Sequence, residues 1–166
     1  MLKGQPKIYI EKKPLWSYID YACVFLISFA LAYAYLKYSE LPDQIPIHFN
    51  SKEEADSYGS KTFIWFLPIL SIALYVLLTV VSRYPHTFNY TVKINEENAK
   101  KQYIIAIEMM ALLKLCIMIY FSYMTYKTIQ IAMNGHGGLG FLSTLLLVGA
   151  IVLIIIRSLL QSSKIK

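Results

Sequence analysis

The residues of this chain that could do chemistry fall into two groups, one inside long apolar runs and one in a polar loop. The first group consists of ionisable side chains within hydrophobic segments, namely Asp20, Glu108, Lys114 and Arg157. Charged groups are costly in a bilayer, so each is a candidate for a functional site or for a structural ion pair. Asp20, Glu108 and Arg157 are predicted to lie near one membrane surface, where they would form an ion cluster. Lys114 is predicted near the bilayer centre, and spacing indicates no partner for it, which leaves function and structural pairing as equal alternatives.

The second group has the residue types of a ligand-binding loop and comprises Asp43, Pro46, His48, Asn50, Asp56 and Lys61. A histidine with two carboxylates, here His48 with Asp43 and Asp56, has donor atoms that suit a metal ion. The spacing matches no HExxH or CxxC pattern, so we predict a loop histidine bonded to the backbone rather than a metal site. Neither a serine nor a cysteine has the setting of a nucleophile. We therefore predict a binding protein without metal or cofactor, and not an enzyme.

The composition predicts a membrane protein. Hydrophobic residues make up 57% of the chain and form runs that could cross a bilayer, for which about 20 residues are needed. We predict an all-α integral membrane protein with one domain, 1–166: a four-transmembrane-helix bundle with a structured extracellular loop. The glycine-rich stretch 134–140 is predicted to be a turn rather than a nucleotide loop, because no strand precedes it. The predicted segments are spans at 15–36, 62–81, 103–126 and 139–160, an outer loop at 37–61 and a cytosolic loop at 82–102.

Lysine and arginine residues predict the orientation of the chain. With the N-terminus inside, eleven of them fall in cytosolic segments and four in outer segments. Both termini are therefore predicted to be cytosolic in a bacterial cell membrane, and the loop at 37–61 is predicted to face outward. The net charge is +6, but the basic residues are spread along the segments that flank the spans. This spread indicates the lipid bilayer as the partner, and no nucleic acid.

Local patterns predict finer structure. Apolar and polar residues alternate at 45–50 and again at 88–95, which is typical of short strands. Residues 58–60 are predicted to form a turn, and Asn95 is predicted to cap the third helix. Tyrosines near the outer ends of two spans indicate an interfacial aromatic belt or, alternatively, a groove for an apolar peptide: Tyr33, Tyr35, Tyr38, Tyr120, Tyr123 and Tyr126.

Two motifs carry a resemblance to a known family. The first is Leu41-Pro42-Asp43-x-Ile45-Pro46-Ile47-His48-Phe49-Asn50, continued by Ala55-Asp56-x-Tyr58-Gly59-x-Lys61. The second is Tyr84-Pro85-His86-x-Phe88-Asn89-Tyr90 with Ile94-Asn95-Glu96-Glu97-Asn98-Ala99. Together they resemble the bacterial membrane domain of unknown function 1648, which forms the N-terminal half of SdpI-like immunity proteins. The sequence departs from that family at Glu53 or Glu54, where a glycine is expected.

The resemblance implies a protein that captures a secreted toxic peptide at its outer loop, through the six loop residues named above. It also implies signalling in which a cytosolic transcriptional repressor is held at the membrane. SdpI-like proteins carry further spans, so a homodimer is expected to replace the missing half. The alternative, drawn from the charges, is an accessory or transport subunit of a membrane complex whose four intramembrane ionisable residues line a polar route.

Overall fold

The computed structural model describes residues 4–50, 54–138 and 140–165, and these are mostly helical. Four helical segments among the described residues are long and apolar enough to cross a membrane, as many as the predicted spans: Pro14–Glu40, Lys61–Val81, Ala99–Asn134 and Phe141–Ser163. The α-helices within them are α1 (Pro14–Lys37), α2 (Phe66–Val81), α3 (Ala99–Asn134) and α4 (Phe141–Ser163). Two strands, β1 (Gln44–Phe49) and β2 (Ala55–Ser60), lie between α1 and α2.

α3 is the central helix, because it packs against each of the other three helices. The core between α1 and α3 contains Ile19, Cys23, Ile27, Ala111 and Met118. α4 lies at the periphery: none of its most apolar stretch is buried within the described protein. The four helices therefore form a core of α1, α2 and α3, with α4 packed on the outside of α3.

The third helix is longer than the span predicted within it. It begins four residues before the predicted span at 103–126, ends eight residues after it, and has 36 residues in all. The predicted turn follows directly, since Gly135 has a φ of 72° and its N–H bonds to the Ile131 carbonyl at 2.9 Å. A left-handed residue with this bond is a common end of an α-helix, and glycine adopts it without a Cβ clash.

The polypeptide has two distinct ends along the helix axes. The strands connect α1 to α2 at one end, which we call the hairpin end. At the other end, the terminal end, Gln5 Nε2 donates to the Phe88 carbonyl at 2.8 Å, and Tyr103 Oη donates to the Pro6 carbonyl at 2.8 Å. The C-terminal region joins them there, because Gln102 Nε2 donates to the Ser162 carbonyl at 2.9 Å. Both terminal regions and residues 82–98 therefore lie together.

The loop at the hairpin end is a two-stranded antiparallel sheet. The prediction of a strand at 45–50 is confirmed, but the predicted turn at 58–60 is wrong, since these residues belong to β2. The Lys61 N–H donates to the Asp43 carbonyl at 3.0 Å, so these two residues form a hydrogen-bonded pair. Along an antiparallel sheet, such pairs alternate with pairs that exchange no backbone hydrogen bond. The pair Pro46 and Tyr58, three positions further along, is therefore non-bonded. Proline fits there because no ladder N–H is required.

The hairpin is anchored in the helices by apolar side chains. Ile45 of β1 is 1% exposed and packs in one cluster with Ala34, Leu41, Ile64 and Ile129. Ile129 belongs to the part of α3 that extends beyond the predicted span. The extra length of α3 thus provides the surface on which the hairpin rests.

The second predicted strand, at 88–95, is wrong. These residues form an irregular loop, in which Tyr90 Oη donates to the Pro85 carbonyl at 2.9 Å and the Tyr90 ring contacts Tyr103. Burial raises the pKa of Tyr90, which keeps this hydroxyl neutral as a donor. Asn95 accepts from the N–H groups of Glu97 and Asn98, so it caps the turn that leads into α3, while Asn98 occupies the N-cap position.

We expect Ile45→Ala to loosen the hairpin, because truncating a buried isoleucine costs about 2–4 kcal/mol. Hydrogen exchange of the β2 amides in detergent micelles should become at least ~10-fold faster. Ile47→Ala is the matched control, since Ile47 is 41% exposed on the same strand. Equal exchange rates in the two variants would show that the Ile45 contact does not hold the hairpin in place.

Candidate functional sites at the two ends

A buried ion pair joins α1 to α3. The Lys114 side chain is 6% exposed, and its Nζ lies 2.5 Å from Asp20 Oδ1. The same ammonium donates to Thr79 Oγ1 at 3.0 Å and lies 4.8 Å from the ring centroid of Tyr75. Lys114, for which spacing indicated no partner, therefore contacts α1 and α2 together.

The ion pair lies towards the terminal end rather than midway along the helices. Thr79 is two residues before the end of α2, so the bonded ammonium is level with the last turn of that helix. Helical side chains lean towards the helix N-terminus, which directs the Lys114 side chain the same way. The predicted position of Lys114 near the bilayer centre stays a prediction, but its ammonium lies level with the last turn of α2.

The predicted cluster of Asp20, Glu108 and Arg157 is also wrong. Lys12 Nζ lies 2.9 Å from Asp20 Oδ2, and Lys13 Nζ lies 2.6 Å from Glu108 Oε1. Arg157 is on the exposed face of α4 and forms no salt bridge within the described residues. The N-terminal segment thus supplies the cations for both carboxylates, a role that sequence periodicity could not reveal because this segment is not a helix.

A cavity of about 350 Å³ opens beside the ion pair at the terminal end. The N-terminal segment, α1, the end of α2 and α3 all contribute to its wall, and it reaches the surface at Tyr9, which is 88% exposed. The polar side chains that matter for its chemistry are Lys12, Trp16, Asp20, Thr79, Arg83 and Lys114.

The hairpin end carries the predicted binding residues in three local pairs. His48 Nδ1 lies 2.5 Å from Asp56 Oδ1, and Lys61 Nζ lies 3.0 Å from Asp43 Oδ1. Asn50 Nδ2 donates to Glu54 Oε2 at 3.2 Å. The structure therefore brings His48 and Asp56 together but places Asp43 with Lys61. Within residues 4–50, 54–138 and 140–165, no three histidine, cysteine or acidic side chains could hold a metal ion together.

Several of the outer tyrosines support the hairpin or tie helices together. Tyr33 contacts the Tyr126 ring at 5.3 Å, and its hydroxyl accepts from Gln130 Nε2 at 2.5 Å. Tyr38 packs against Trp65 with tilted rings whose centroids are 5.8 Å apart. These rings pack between elements, whereas Tyr35 is 73% exposed.

The four apolar helices and the anchored hairpin define a multi-pass helical membrane protein. The family described as "Domain of unknown function (DUF1648)" matches residues 25–72, which run from within α1 through the hairpin into α2. The predicted resemblance is confirmed for this region. The link to SdpI-like proteins stays a prediction.

A relative that matches part of the chain gives a second comparison. An uncharacterized protein of Archaeoglobus fulgidus is 38% identical over 74 residues, in an alignment covering 39% of this chain and 40% of the relative. The chain therefore spans less than half of the length of this curated relative. No solved structure matches the chain significantly.

We expect Asp20→Asn to destabilise the protein more than Lys114→Met. The first leaves a buried ammonium without a counter-charge, which costs about 3 kcal/mol, whereas the second leaves Asp20 paired with Lys12. Thermal unfolding in detergent should show this order, with the double variant close to Lys114→Met.

Glu108→Gln is the control for that experiment, because Lys13 and Glu108 form a more exposed pair, 45% and 29% exposed. Its effect should be below about 1 kcal/mol. An Asp20→Asn effect as small as this control would contradict a stabilising role for the buried pair.

Proposed function

We propose that this protein binds an extended peptide by strand addition to its hairpin, as an immunity-type protein that captures a secreted toxic peptide. The observation that carries the proposal is the outer edge of β2. β1 packs against α3, whereas β2 has no third strand beside it among the described residues. An unpaired strand edge is a template for an added peptide strand.

The hydrogen-bonding alternation identifies the groups that would receive the peptide. Because the Pro46 and Tyr58 pair is non-bonded, the backbone N–H and C=O of Tyr58 point away from β1, towards the free edge. Tyr58 is 56% exposed and offers an aromatic side chain for contact. The side chains of His48 and Asp56 are 67% and 41% exposed, and this pair could form hydrogen bonds with a side chain of the peptide.

The match to the family supports this choice of site. Residues 25–72 contain the whole hairpin and its anchors Ala34, Leu41 and Ile64. Asp20, Thr79 and Lys114 fall outside the match. The matched region therefore includes the hairpin but not the ion pair. Toxicity of the peptide and retention of a cytosolic repressor rest on the resemblance to SdpI-like proteins, whereas another membrane subunit as partner belongs to the alternative function drawn from the intramembrane charges. Assembly as a homodimer, which would replace the further spans of SdpI-like proteins, also rests on that resemblance.

Peptide capture requires the hairpin to face outward in the bacterial cell membrane, with both termini cytosolic. The support for this orientation is the excess of lysine and arginine at the terminal end. A cysteine placed at Ser57 should react with a membrane-impermeant maleimide in intact cells, and a cysteine at Thr87 should react only after permeabilisation. Both positions are exposed. The opposite labelling would reverse the orientation and contradict peptide capture from outside.

The binding mode predicts a difference between two substitutions at one residue. Tyr58→Ala removes only the ring, whereas Tyr58→Pro also removes the outward N–H without breaking a bond to β1. Peptides that co-purify with the protein after gentle extraction from its native membranes would be measured by mass spectrometry. We expect Tyr58→Pro to retain about fivefold less peptide than Tyr58→Ala, since a hydrogen bond contributes roughly 1 kcal/mol.

Two further variants sharpen this experiment. His48→Ala should also lower peptide retention, while Tyr84→Ala, which removes a tyrosine 52% exposed at the terminal end, should leave it unchanged. Equal peptide recovery from wild-type protein and from the Tyr58→Pro and His48→Ala variants would refute capture at the hairpin.

The second candidate function is an accessory or transport subunit, which the contact of Lys114 with both Asp20 and Thr79 favours. In that case a stoichiometric membrane protein should co-purify with wild type and with both hairpin variants, and Lys114→Ala should abolish activity. The polar route would involve Asp20 and Lys114, because Glu108 and Arg157 do not join them.

A further inference from the structure

We propose that the cavity at the terminal end binds the phosphate-bearing headgroup of an anionic phospholipid. This site is separate from the hairpin and does not depend on peptide capture. Three basic side chains, Lys12, Arg83 and Lys114, line the cavity with one carboxylate, Asp20, which gives the lining a formal charge of +2. A site with this excess of positive charge favours an anion.

The bonds already made show which cations are available to a ligand. Lys114 is occupied, since its ammonium contacts Asp20, Thr79 and the Tyr75 ring. Lys12 gives one of its three N–H donors to Asp20, and its side chain is 57% exposed. Arg83 is exposed and pairs with no carboxylate among the residues that the structure describes. Lys114 therefore fixes Asp20, Asp20 orients Lys12, and Lys12 and Arg83 can contact the phosphate.

An unsatisfied donor in the same wall gives independent support. Trp16 is 6% exposed, and its indole Nε1 is buried without a hydrogen-bond partner in the described part of the chain. A buried N–H without an acceptor is costly, and such groups commonly mark a missing partner. Because Trp16 lines the cavity, a phosphate or ester oxygen beside it would satisfy this donor.

The remaining wall matches the apolar part of a lipid. Ile8, Leu78, Ile107 and Met110 line the cavity together with the polar groups. A volume of about 350 Å³ holds a headgroup and the start of its chains. The cavity lies between helix ends on the side where basic residues concentrate, and basic pockets between membrane helices on the cytoplasmic side bind anionic headgroups.

The test is lipid retention by purified, delipidated protein, measured by native mass spectrometry with phosphatidylglycerol as the probe. Arg83→Gln and Trp16→Phe should each lower retention about tenfold, since each removes a donor to a charged group. Arg157→Gln is the matched control, because it removes an exposed cation of α4 that does not line the cavity. Unfolding temperatures close to wild type would show that the two cavity variants remain folded.

Phosphatidylcholine and glycerol phosphate separate the possible ligands. Retention of phosphatidylglycerol well above phosphatidylcholine, with no competition by glycerol phosphate, would support a phospholipid site. Equal retention of both lipids, or an Arg157→Gln effect equal to that of Arg83→Gln, would overturn it in favour of a general lipid annulus. Full displacement by glycerol phosphate would overturn the lipid assignment and point to a soluble organic phosphate.

Discussion

A helix longer than the thickness of a bilayer determines where the other parts of this protein lie. α3 has 36 residues, which at ~1.5 Å per residue is about 54 Å, against about 30 Å of hydrocarbon. Its two ends therefore extend beyond the apolar layer. At one end Tyr103 holds the N-terminal segment, and at the other Ile129 supports the hairpin. One continuous helix thus positions the hairpin and a charged cavity that share no residues.

The spans could be predicted from sequence because length and apolar content decide whether a helix can cross a membrane. β1 could be predicted from its alternating sequence, but its burial does not alternate. Ile45 and Pro46 are both buried, whereas Ile47 and His48 are both exposed, and the register shifts between Pro46 and His48. β2, with the sequence ADSYGS, lacks β-branched residues and forms a strand only because β1 is beside it. Apolar and polar residues alternate equally well at 88–95, but this segment pairs with no strand among the described residues. Alternation therefore identifies a strand only where tertiary structure supplies its neighbour.

The charged site was harder to predict than the helices. Asp20 and Lys114 are 94 residues apart, and no spacing rule connects side chains on different helices. Counting residues from the start of the span at 103 gives the height of the Lys114 backbone, not that of its ammonium, which reaches Thr79 in the last turn of α2. The lysines that neutralise Asp20 and Glu108 come from a segment without regular structure, so a helical-wheel argument could not include them.

The ion pair between α1 and α3 has a consequence for how the chain enters the membrane during synthesis. A lysine in an apolar helix opposes insertion by about 3 kcal/mol when that helix is alone. α1 precedes α3 in the chain, so the Asp20 carboxylate is already in place when Lys114 leaves the ribosome. α2 likewise brings Thr79 before α3 arrives. The order of the helices therefore allows the segment that carries Lys114 to meet preformed partners, and α4 adds last to the outside of α3.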